Sequence, residues 1–190
     1  MGNGRRCGSC TLCCDLLAVP EIAKPALRMC RYCTASEGCK IYESRPKQCR
    51  LFNCHFLENP KLNEDWRPSK AHFVLVVSPD GQRLGVNVDP NRPGAWRRKP
   101  YYAQLKDWAR AATNHPRRIG QVLVSVGKQT LVILPDRDVD VGTVEQDEIV
   151  VTEALPGSSG MTFNAFKMRK DDPRAGPILR ATTGAEGSIF

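Results

Sequence analysis

Nine cysteines fall between Cys7 and Cys54 of a 190-residue chain, and none follows. Their order is Cys7-x2-Cys10-x2-Cys13-Cys14, then fifteen residues, then Cys30-x2-Cys33-x5-Cys39-x9-Cys49-x4-Cys54. Thiols in this number suit three chemistries: a disulfide framework, a dithiol redox centre or metal ligation. The count is odd, and MGNGRRC opens the chain without the apolar stretch of an export signal, so disulfides rank last. Two intervening residues let the backbone turn and aim both sulfurs of a CxxC pair at one ion. One such pair also suits a redox dithiol, but several within 48 residues point to metal, and all nine cysteines are candidate ligands. Eight thiolates fill two tetrahedral sites and leave one over. Vicinal Cys13 and Cys14 diverge in an extended chain, so one of them is a natural spare, buried as a small hydrophobe.

The metal is less readily read than the ligands. Cys7–Cys10 and Cys10–Cys13 share Cys10, so they are not independent half-sites. The run CxxCxxC is also how bacterial ferredoxins give three thiolates to one iron–sulfur cluster. It lacks the following x3-Cys-Pro here, and it is not the CxxxCxxC order of radical chemistry. All-cysteine zinc is the first expectation, because small cytosolic domains use it commonly, and iron or an iron–sulfur cluster is the second. Around the thiols, Ile41, Tyr42 and Phe52 offer an apolar shell, and Arg45 and Arg50 offer charge to set against thiolates. His55 follows Cys54 and is the one histidine placed to complete a Cys3His site, which nine thiols do not need.

CGSCTLCC followed by GCKIYESRPKQCRLFNC resembles the YkgJ-like cysteine-cluster family, the CxxCxxCC proteins described as zinc- or iron-chelating domains. The resemblance covers residues 7 to about 57. It matches Cys7, Cys10, Cys13 and Cys14 to the opening cluster and Cys39, Cys49 and Cys54 to the later ones, while Cys30 and Cys33 stand at more variable positions. EDWRPSK is similar to the linker of some members. The resemblance implies metal chelation and no settled biochemical role. Flagellin lysine methylases carry a similar cluster, which by analogy alone makes protein modification the enzymatic alternative.

The elements that must hold these residues divide at about residue 60. Residues 1–60 read as a cysteine-rich, metal-nucleated module with little regular structure. DLLAVPEIAKPALRMC is expected to cross between cysteine clusters as an extended segment, and Pro46 to open a short helix over Lys47 to about Phe52 that carries Cys49. NPKLNEDWRP reads as a polar joint. Residues 61–155 read as a small antiparallel sheet with one main helix: strands at HFVLVV and QRLGVNVD around the turn SPDG, an amphipathic helix from Pro100 to Thr113, and a hairpin of IGQVLVSV and TLVILP about Gly127-Lys128. Its apolar helical face is Tyr101, Leu105, Trp108, Ala109 and Ala112. Weaker strands are expected near Val139–Val141 and at EIVVTEA. Residues 156–190, rich in Gly, Pro, Ser and charge, read as a largely flexible tail. The fold class is α+β.

Composition bounds the rest. The net charge is +8, with nine Lys or Arg against four Asp or Glu over residues 1–54 and nineteen against sixteen beyond. A basic surplus suits nucleic acid, but four thiolates on a divalent ion also make a −2 unit that nearby cations offset. Arg97-Arg98-Lys99 and Arg117-Arg118 bracket the helix as a phosphate-binding option, against the commoner reading of a solvated face. Asp136, Asp138 and Asp140 alternate without the other ligands of an EF-hand and read as the solvent face of an edge strand. His72 and His115 take structural readings. No nucleotide loop, HExxH or GxSxG pattern occurs, and no apolar run approaches the roughly 18 residues of a membrane span. The expectation is a cytoplasmic metal-binding protein that serves as an interaction module for a protein partner. An iron–sulfur protein-modifying enzyme and a basic nucleic-acid-binding zinc protein are the alternatives.

Overall fold

The computed structural model describes residues 4–114, 120–157 and 160–176. His115, Arg117-Arg118 and the C-terminal fourteen residues of the expected tail (177–190) lie outside the described residues. Helices and strands are mixed, and two compact units are formed: one from residues up to 76 with 87–96, the other from residues 77–86 with those from 97 onward. The first unit therefore does not part from the rest at residue 60. Trp66, inside the expected polar joint, is buried and meets Phe73 edge-on at 6.0 Å between ring centroids.

The first unit is built from short pieces. Helix α1 (Leu12–Leu16) begins within the opening octet, and β1 (Cys33–Thr34) pairs antiparallel with β2 (Gly38–Cys39). Helix α2 (Lys47–Leu51) carries Cys49, as expected, but Pro46 is its N-cap, where the sequence suggests Ser44 or Arg45 as the cap and Pro46 in the first turn. Helix α3 (His55–Glu58) starts from Cys54, and α4 (Pro68–Ala71) has proline in its first turn. The segment from Asp15 to Cys30 is not extended. It continues α1, then folds through a 3-10 turn at Pro20–Ile22 and a bridge between Val19 and Lys24, with Ala23 at φ +51°. Proline at the first position of that turn starts it, because its fixed φ is already helical.

Strands β3 (Phe73–Val77) and β4 (Arg83–Val88) make the expected hairpin. Asp89 N–H donates to the His72 carbonyl at 2.9 Å at its base, and Ser78 N–H donates to the Arg83 carbonyl at 2.8 Å at its tip. In the second unit β4, β5 (Gln121–Val126), β6 (Gln129–Ile133) and β7 (Asp138–Thr143) are neighbours in that order. Helix α5 (Tyr101–Thr113) buries Tyr101, Leu105, Ala109 and Ala112, while Trp108 is only half-buried.

Residues 160–169 correct the reading of a flexible tail from Pro156. They form β9 (Gly160–Arg169), paired without interruption to β8 (Glu148–Gly157) from Glu148↔Arg169 to Gly157↔Gly160. The Gly, Pro and Ser residues there mark a connection between two strands rather than the start of a tail. Both faces of this ribbon are covered at one end. Val150, Phe163 and Ala165 pack with Val132 and Leu134, and Ile149, Val151 and Met168 pack with Ala175. That explains the unbroken apolar run IVV, since a strand buried on both sides needs no alternation.

Asp138 is a second correction. It is not a solvent-facing residue: its side chain is 11% exposed, and it forms an ion pair with Lys106 at 2.9 Å. It also takes hydrogen bonds from Tyr102 Oη and Arg97 Nη1, each at 3.1 Å, while Lys106 Nζ donates to the Leu134 carbonyl at 2.7 Å. Asp140 is exposed, as expected.

Candidate metal centre

All nine cysteines line one cavity of about 240 Å3 in the first unit, completed mainly by apolar side chains such as Leu17, Ile22, Ile41 and Phe52. Cys10, Cys30 and Cys54 are buried, the other six are half-buried, and all nine are free thiols. Two of the three CxxC pairs are closed by a backbone hydrogen bond: Cys10 N–H donates to the Cys7 carbonyl at 3.0 Å, and Cys33 N–H to the Cys30 carbonyl at 2.9 Å. Both cysteines of each pair line the cavity. The β1–β2 ladder sets Cys33 directly opposite Cys39. Cys30 N–H donates to the Cys14 carbonyl at 3.0 Å, which ties the second pair to the opening octet. Cys13 and Cys14 lie in α1, where successive side chains stand about 100° apart instead of opposed, so both reach the cavity.

Three charged residues outside the thiol spacing hold the frame. Buried Lys24 donates from Nζ to the Asp15 carbonyl at 2.7 Å and also to the Leu17 carbonyl, satisfying orphan acceptors at the end of α1. Glu21 accepts the Lys47 and Gln48 N–H groups, both at 3.1 Å, at the start of α2, and these bonds hold its carboxyl below the usual range. Arg5 donates to the Phe56 and Asn59 carbonyls at 2.8 and 2.9 Å and to the Leu62 carbonyl, and lies over the Phe56 ring. It thereby fastens the chain just before Cys7 to the chain just after Cys54. Each works through backbone groups, so nothing in the residue spacing marks it.

Neighbouring thiols act on one another: Cys7 and Cys10 on Cys54, and Cys14, Cys30 and Cys39 on Cys33 and Cys49. Cys14 is hydrogen-bonded to Cys13 and Cys33, and it also bears on Cys7. Burial pushes the Cys7, Cys49 and Cys33 thiols up, as does the Cys13 contact at Cys14 ahead of burial. Cys54 is pushed up to about 11 by burial, against the opposing pull of the Leu57 and Phe56 N–H groups on its sulfur. The guanidinium of Arg45 pulls down both Cys7 and Cys49, and the Tyr42 hydroxyl donates to Cys7.

Arg45 is stacked 3.6 Å above the centroid of the Tyr42 ring and lines the cavity. Among the described residues its Nε is the buried side-chain nitrogen or oxygen left without a hydrogen-bond partner. A donor so placed is costly unless something in the cavity accepts from it. Also among the described residues, no group of three or more His, Cys, Asp or Glu side chains is drawn together as the ligands of one metal ion. His55 is buried, and its Nε2 lies 3.1 Å from Asn59 Nδ2; burial holds the ring below the usual imidazole range.

Comparison of the chain with protein-family models, with curated proteins and with solved structures finds no match in any of the three. No helix among the described residues is long and apolar enough to cross a membrane.

Proposed function

We propose that this chain is a metal-binding cysteine-cluster protein whose first unit is organised around a thiolate-ligated centre of zinc or iron. The observation that carries the reading is the convergence of nine thiols, from four stretches of chain, on one largely apolar cavity. Burying nine thiols together has no packing advantage over aliphatic side chains, whereas thiolates are the ligands that zinc and iron–sulfur chemistry require. The donor set, the apolar surround and the unpartnered Arg45 Nε all fit such a group. When bound, the metal supplies the attraction that gathers ligands from separate short elements, which the little regular structure of this unit otherwise leaves weakly held.

The second unit takes the part of an interaction module for a protein partner in the cytoplasm. Its buried Lys106 and Gln121 are spent on structure, the former on Asp138 and Leu134, the latter on Val150 and Thr152. The resemblance of the N-terminal pattern to zinc- and iron-chelating domains agrees with this division of labour.

Purification of the full chain without oxygen, followed by zinc, iron and sulfide analysis and an absorption spectrum, tests the reading. Metal retained at two or more atoms per chain supports it, colourless with zinc or brown with iron and sulfide. Metal-free protein with nine freely titrating thiols and a folded first unit overturns it.

A further inference from the structure

We infer that the nine thiols hold one polynuclear centre, its metals joined by bridging ligands, and not two separate four-thiolate ions. This deepens the metal-binding reading and rests on it. Counting alone allows two fours and a spare: Cys7, Cys10, Cys54 and Cys14 for one ion, Cys30, Cys33, Cys39 and Cys49 for the other. The geometry does not keep them apart.

All nine thiols line the same cavity. Cys14, needed to complete the first four, accepts the N–H of Cys30 of the second at its carbonyl at 3.0 Å, and Gly38, next to Cys39 of the second, comes so close to the first CxxC turn that a Cβ on it would stand 2.5 Å from the Gly8 carbonyl oxygen. The two fours are thus neighbours along their backbones, and Cys14 stands where they meet, which is the position of a bridging thiolate or of a ligand at the junction of a larger cluster.

Size points the same way. An ion with metal–sulfur bonds of about 2.3 Å draws four sulfurs to about 3.8 Å from one another and leaves no space among them. Here the nine thiols share with apolar side chains one cavity of about 240 Å3, which has room for several metals and their bridging atoms.

Arg45 adds an independent observation. It lines the cavity together with Cys7 of one set and Cys49 of the other, and its buried Nε–H has no acceptor among the described residues. A bridging sulfide or thiolate between the sets supplies the acceptor that this donor lacks.

The test uses full-length protein purified without oxygen and measured by X-ray absorption at the edge of whichever metal it carries. A metal–metal scattering shell is expected. Iron with acid-labile sulfide identifies bridging by sulfide, and zinc without sulfide identifies bridging by thiolate. Metal surrounded by four sulfurs with no metal–metal shell overturns the shared centre while leaving metal binding intact. Protein without metal overturns the metal-binding reading itself, and this inference with it.

Two variants give a second readout. Cys54→Ser and Cys39→Ser lie in different sets, and a shared centre predicts that each loses most of the full complement. Retention of half the metal by each overturns it. Arg45→Gln is expected to keep the metal count and weaken metal affinity about 10- to 100-fold, read by chelator competition. An unchanged affinity removes Arg45 from the centre.

Discussion

Gly38 sits at φ +101°, and a Cβ built on it would stand 2.5 Å from the carbonyl oxygen of Gly8. The obstacle is backbone, which cannot swing aside, and Gly8 itself is at φ +57°. Gly38→Ala therefore has to shift β2 away from the first CxxC turn, which separates Cys39 from Cys7 and Cys10. The expected loss is about 1–3 kcal/mol of stability, the scale of a strained non-glycine residue, together with lowered metal retention. An alanine variant with the denaturation midpoint and metal content of the parent would show that this approach is not needed. Asp138 carries a different risk. Removing it as Asp138→Ala leaves Lys106 buried beside the Leu134 carbonyl without its counter-charge. Breaking one half of a buried pair costs about 3–5 kcal/mol, and urea unfolding followed in the second unit measures it. A cost under about 1 kcal/mol would mean that water reaches the ammonium. The cysteines were legible at this scale because their spacing is itself a chemical statement. Arg5, Glu21 and Lys24 were not, since each acts on carbonyl or N–H groups that every sequence has. Asp138 was misread because its alternation with Asp136 and Asp140 describes an edge strand without saying which side α5 covers.

Among the elements, the β8–β9 ribbon shows where pattern and composition disagree. EIVV reads as a strand, but PGSSG beyond it reads as the start of a loose tail, and only β9 supplies the partner that turns those residues into a connection. The apolar positions of β9, Phe163, Ala165 and Met168, were available in the sequence and were outweighed by the Gly and charge around them. The short helix α2, by contrast, was legible from Ser44 and the proline after it, though its cap falls at Pro46 itself, and α5 was legible from its apolar face. Glu148, near the start of the ribbon, provides a pH test free of thiols. Its carboxylate accepts the Glu145 N–H at 2.9 Å and meets Lys167 Nζ at 3.0 Å, and these hold its carboxyl below the ordinary range, the backbone bond most of all. A depressed folded value means that the stabilisation is present above the unfolded carboxyl value of about 4.3 and is lost as pH falls through the lower folded one. Glu148→Gln should flatten that part of the acid limb in ribbon amide exchange, while a carbon-detected titration of the parent shows a midpoint below the usual glutamate. A normal midpoint would remove the effect.

At the scale of the whole molecule, the two units should answer differently to metal. Chelation under reducing conditions is expected to release amide protection over α1 to α3 and β1–β2, while β5–β7 and the β8–β9 ribbon stay protected. On the metal-binding proposal the first set depends on ligand bonds for its closure; the second has apolar clusters of its own around Val132 and Ile149. Hydrogen exchange by mass spectrometry reads both in one experiment. Equal protection before and after complete metal removal would show that the cysteine frame stands by itself, and equal loss in both units would show that they unfold together. Mixed α and β content and a cysteine-rich first part were legible in the sequence, since periodicity and composition change near His72. The extent of the first unit was not, because Trp66 and the strand residues beyond it join that unit through burial, and burial leaves no local mark.

The position of the ligands along the chain has a consequence for synthesis. Every thiol of the cavity lies at or before Cys54 in a chain of 190 residues, and none is contributed by the second unit. Chains are made from the N-terminus, and early parts gain structure while later parts are still absent. The full set of sulfurs therefore leaves the ribosome before α5 and the strands that follow it, so the metal proposed above would be taken up during translation without waiting for the rest of the protein to fold.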